Sequence, residues 1–74
     1  MRCFFHLVDA RSTISDEKGV EVSDLDHARA EALDTVREFR TEEPEVDVSE
    51  WKLIVADRAG TALFLLDLDD LDRV

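Results

Sequence analysis

A chain of 74 residues has room for one domain, and nineteen acids against nine bases leave it a formal charge of −10. That charge excludes direct binding to a nucleic-acid backbone, and no apolar run approaches the ~20 residues of a membrane span. Leu, Ile, Val and Phe number 9, 2, 8 and 4, too many for a disordered chain, and the lone Cys3 fits a reducing cytoplasm with no internal disulfide. Only Arg2 precedes the first apolar run, and His6 interrupts it, so no secretory leader is expected.

The first predicted element is a strand over Arg2–Val8. Side chains alternate across a strand, so Cys3, Phe5 and Leu7 share one face while Phe4, His6 and Val8 share the other. Both sets are largely apolar, which suits a strand covered on both sides. Asp9–Thr13 reads as a turn. Thr13–Val22 reads as an irregular, edge-like strand antiparallel to the first, with Gly19 at a turn or bulge. Ser23 is the expected N-cap of a helix over Asp24–Thr41, with Asp26 three residues on. Leu25, Ala28, Ala32, Val36 and Phe39 recur every three or four positions and form its apolar stripe. Pro44 ends it. After an acidic connector, Trp51, Leu53 and Val55 alternate against Lys52, Ile54 and Ala56 in a strand over Glu50–Asp57. Asp57–Gly60 reads as a hairpin loop with Gly60 at positive φ. The last strand, Thr61–Leu68, sets Ala62, Phe64, Leu66 and Leu68 against Leu63 and Leu65. Residues 68–74 form an acidic tail expected to fray. The order is ββαββ in one domain over 1–74: an α+β fold, with a four-stranded antiparallel sheet and one helix packed on one face.

Three stretches carry a family resemblance: Arg2-x-Phe4-Phe5-His6-Leu7-x-Asp9, Asp16-x-x-Gly19-x-Glu21, and Asp24-Leu25-x-x-Ala28-Arg29-x-Glu31-Ala32-Leu33. Together they resemble a group of short alphaproteobacterial proteins known as a domain of unknown function. The pattern covers roughly the first 33 residues, and downstream the likeness is one of layout. Cys3 stands where the group has an aromatic, and Val8 and Ala10 stand where it has a more polar turn. The resemblance implies the fold and a cytoplasmic setting, and it brings no catalytic residue. The helix start and the hairpins also resemble the antitoxin half of certain small toxin–antitoxin pairs.

Candidate sites are few. Cys3 and His6 have a CxxH spacing, but their opposite parity on a strand points them to opposite faces. Asp67, Asp69, Asp70 and Asp72 lack the glycine and the twelfth-position acid of a calcium loop. The serines have no nucleophile elbow, and two glycines make no phosphate loop. No enzyme activity, metal or cofactor is therefore expected. His6 reads first as a hydrogen-bonded, half-buried histidine and second as a proton-linked switch at a subunit interface. His27 reads as a solvated surface group.

One helix covers one side of a sheet, so one of the two apolar sets is left open, the alternation does not say which, and a contiguous open patch marks an interface. The expected function is a non-enzymatic cytoplasmic module that forms a homodimer through that face. Its candidate interface residues are Phe4, His6, Val8, Phe64 and Leu66. The alternative is an acidic adaptor or antitoxin-like inhibitor that binds a basic protein through Glu42, Glu43, Glu45, Asp47 and Glu50.

Overall fold

The computed structural model describes residues 1–71. It is an α+β fold with one long helix on an open antiparallel sheet. The strands are β1 (Arg2–Val8), β2 (Thr13–Ile14), β3 (Val20–Glu21), β4 (Lys52–Ala56) and β5 (Ala62–Asp67), and the helices are α1 (Leu25–Glu42) and the four-residue α2 (Leu68–Leu71). The sheet runs β2-β1-β4-β5, and β3 pairs with β1 as well.

The expected count of four strands is corrected to five segments. Thr13–Val22 lies along β1 as expected but breaks in the middle. Leu7 pairs with Ile14 and Cys3 with Val20, while Ser15–Gly19 loops away between them. Asp16 causes the break. Its carboxylate accepts the N–H groups of Phe5, Lys18 and Gly19 and so takes the place of a ladder partner for Phe5.

The helix starts one residue later than expected, because the cap is Asp24 and not Ser23. Asp24 is extended, and its carboxylate accepts the N–H of His27 at 2.8 Å. Ala28, Ala32, Val36 and Phe39 are buried, but Leu25, in the first turn, is half exposed. At the other end Glu43 caps the helix before Pro44.

The buried stripe settles which side of the sheet is covered. It packs with Cys3, Phe5 and Leu7 of β1 and with Leu53 and Val55 of β4 in one core. Trp51 sits just before β4, after a 3₁₀ turn at Val48–Glu50, and its ring meets Phe39 at 5.0 Å. The chain closes over this end, because Leu68 donates to the Trp51 carbonyl and is fully buried. The expectation of a frayed tail from residue 68 is therefore wrong at Leu68, which starts α2; residues 72–74 lie outside the described residues.

Candidate interaction face

The side of the sheet away from α1 is built from alternate residues of the central strands. Phe4 pairs with Ala56, His6 with Ile54, and Val8 with Lys52. Beyond β4, Ile54 pairs with Leu65 and Lys52 with Asp67. No other element covers this side among the described residues. Phe4, His6, Val8 and Ile54 are half-buried, while Leu63 and Leu65 are 37% and 54% exposed. The charges of this face come in opposed pairs: Arg2 with Glu21 at 3.9 Å at one end, and Lys52 with Asp67 at 3.9 Å at the other.

The candidate set Phe4, His6, Val8, Phe64 and Leu66 is divided by a β-bulge. The hairpin turn joins Asp57 to Thr61, and Gly60 takes the expected positive φ of 88°. Continued regularly, that register would set Phe64 opposite Ile54 and Leu66 opposite Lys52, on the open side. The register instead shifts between Val55 and Ala56, with Leu63 as the extra residue. Phe64 now pairs with Val55 and Leu66 with Leu53, so both pack on the core side. The Arg29 guanidinium lies 5.0 Å over the Phe64 ring and closes that edge. Leu63 and Leu65 take their places on the open face.

His6 is held by a residue the sequence reading did not single out as a site. The Asp16 N–H donates to His6 Nδ1 at 3.1 Å, and the Asp16 carboxylate accepts the N–H of Phe5, the neighbour of His6, at 3.2 Å. The Asp-x-x-Gly spacing was a visible turn signal, because an aspartate folds back on amides two and three residues ahead. Burial pushes the Asp16 carboxyl upward, but the Gly19, Phe5 and Lys18 amides and the nearby His6 outweigh it, so it is held below its ordinary value.

Asp16→Ala is expected to cost about 2 kcal/mol at neutral pH, or about 10 °C in melting temperature for a chain this size. Partial exposure keeps the figure modest. A carboxyl with a depressed folded value stabilises fully above the ordinary range and loses that contribution as pH falls through the folded value. The gap in urea midpoint between wild type and variant should hold from neutral to about pH 5 and narrow steadily as pH falls through and below the ordinary carboxylate range. A gap that persists in acid would assign the loss to something other than the ionised carboxylate.

The remaining candidates separate. Cys3 is fully buried on the helix side, where burial pushes its thiol up, while His6 lies on the open side, so the CxxH pair is split as expected. His27 is more engaged than a solvated group: its Nδ1 accepts from the Ser23 N–H at 3.0 Å and its Nε2 lies 3.5 Å from Glu31. Glu42, Glu43, Glu45, Asp47 and Glu50 are all exposed, running from the end of α1 to the 3₁₀ turn. Of these, Asp47 is held below its ordinary value by the Ser49 hydroxyl and amide, and it caps the 3₁₀ turn. No helix among the described residues is long and apolar enough to cross a membrane.

Comparison with curated proteins and with solved structures gives no match. Residues 2–69, which include both hairpins, α1 and the bulged β5, match the profile of a protein family. The chain therefore belongs to the family described as domain of unknown function DUF6894.

Proposed function

We propose that this protein is a non-enzymatic cytoplasmic module that forms a homodimer through the open face of its sheet. The observation that carries the reading is the uncovered patch of Phe4, Val8, Ile54, Leu63 and Leu65 around His6. A second copy suits it better than a charged partner does. The chain carries −10 overall, yet Arg2, Glu21, Lys52 and Asp67 on this face cancel, so two copies meet there without the repulsion they feel elsewhere. A two-fold axis lets the same patch cover itself, and sheets pack face to face at about 10 Å. The buried lone cysteine suits a reducing compartment.

Sedimentation equilibrium at neutral pH tests it. The wild type should be dimeric in the micromolar range, and Leu65→Asp should be a folded monomer by circular dichroism, because Leu65 is half exposed in the single chain. A wild type that stays monomeric to high micromolar concentration would sink the proposal.

A second reading, an acidic adaptor or antitoxin-like inhibitor for a basic protein, is favoured by the exposed acids at the end of α1. Glu42 and Glu43 add charge at the negative end of the helix dipole, where it destabilises the helix rather than supporting it. Affinity capture from lysate separates the two. A basic protein held at low salt and released at high salt supports the adaptor, whereas recovery of bait alone, in more than one copy, supports the dimer.

A further inference from the structure

The open face has a histidine in its middle row, and the hydrogen bond that histidine makes has a direction. His6 stands between Phe4 and Val8 along β1 and opposite Ile54 on β4. A backbone N–H can only donate, so the Asp16 N–H requires a lone pair on His6 Nδ1 and leaves the ring proton on Nε2. Asp16 returns the contact through the Phe5 amide, so the Ser15–Gly19 loop is latched to β1 at two successive residues. The loop borders the face itself. Gly19 lies against the Phe4 ring, so closely that a Cβ there would sit 2.9 Å from Cε2.

We infer that His6 is a proton-operated release for self-association through this face: two copies hold together while it is neutral and separate when it is protonated. The inference rests on the dimer proposed above. Protonation fills the Nδ1 lone pair, and the Asp16 N–H then confronts another donor in place of an acceptor. It also places a cation in an apolar patch that a second copy would desolvate. Because a two-fold interface brings the same patch from both copies, two such cations enter one contact.

The charged groups around the ring do not cancel this. From the loop, the Asp16 carboxylate, held by the Phe5, Lys18 and Gly19 amides, attracts an imidazolium and so favours the protonated ring already in the single chain. On β4, Lys52 lies one pair along from Ile54, faces Val8 and is joined to Asp67 of β5. Arg2 on β1 is joined to Glu21 of β3 at the far end. Asp16 itself is held below its ordinary value and stays ionised throughout the range in which histidine changes charge.

The test is sedimentation equilibrium of the full chain at about pH 7.5 and about pH 5.5 at constant ionic strength. His6→Gln and His27→Gln are run alongside, since Gln is neutral and offers an oxygen to the Asp16 N–H. The wild-type dissociation constant should rise about tenfold or more at the lower pH. His27→Gln should behave as wild type, and in His6→Gln the dissociation constant should be the same at both pH values, whatever its size. Equal wild-type constants at the two pH values overturn the release and leave the dimer standing. The same pH dependence in His6→Gln also overturns it. A wild type monomeric at both pH values removes the dimer and the release together. Imidazole nitrogen shifts of the wild type give a readout that needs no variant. They should place the His6 proton on Nε2 at about pH 7.5, and a proton on Nδ1 overturns the latch.

Discussion

Leu53→Ala is expected to lose about 4 kcal/mol, near the top of the range for buried leucines. Leu53 is fully buried on β4, with Leu7 of β1 on one side and Leu66 of β5 on the other. Both neighbours are fixed by the ladders, so the walls of the cavity have little freedom to collapse inward. A domain of this length has on the order of 4–11 kcal/mol in all, so the loss is a large part of the total. The next residue is the control. Ile54→Ala removes a similar volume from the open side and should cost the single chain about 1 kcal/mol. Urea unfolding followed by Trp51, the one tryptophan, reads both, at low concentration so that association does not enter. Similar losses from the two variants would mean that the side opposite the helix is also packed.

Gly19→Ala comes second, at about 3 kcal/mol, and Gly60→Ala is its measure. Both glycines have positive φ, 74° and 88°, and an L-residue pays about 1–2 kcal/mol for that conformation. Gly60 is at an open hairpin tip with nothing within 4 Å of a Cβ, so backbone strain is its whole cost. At Gly19 a Cβ would also lie 2.9 Å from the Phe4 ring and 3.0 Å from the Cys3 carbonyl oxygen. The ring is able to swing away, but the carbonyl belongs to the sheet, so the loop must lift from β1. Thermal melting of the two variants at equal concentration should separate them by about 4–16 °C, the extra ~1–2 kcal/mol at Gly19 taken at 4–8 °C per kcal/mol. Equal shifts would mean that the loop yields freely.

Much of the fold was legible because its signals are local. The alternation in Arg2–Val8, the stripe ending at Phe39, Pro44 behind the helix and Gly60 in the hairpin each depend on a few neighbouring residues. The N-cap was missed by one position because Ser23 and Asp24 are both good caps, and the choice turns on which oxygen reaches the His27 amide. The face of the sheet under the helix was not legible at all. Phe4, His6 and Val8 are nearly as apolar as Cys3, Phe5 and Leu7, and alternation ranks neither set. The division of the candidate interface had a different cause. One extra residue at Leu63 reverses the parity of the rest of β5, and nothing in ALFLLD marks where a bulge falls. The Asp16 turn was visible in its spacing, but its reach to the Phe5 amide and to His6 spans ten residues or more and belongs to the tertiary structure.

The two strands at the centre of the sheet come from opposite ends of the chain. Phe5 faces Val55, fifty positions apart, with α1 and a broken edge between them. Neither hairpin has a covered apolar side by itself, so folding has to close the long loop that brings β1 to β4. During synthesis β1 is made first and waits, its aromatic pair exposed, until Lys52–Ala56 has left the ribosome. For that interval the nascent chain depends on its own net charge, and on any chaperone that holds it, to keep β1 from pairing with a strand of another molecule.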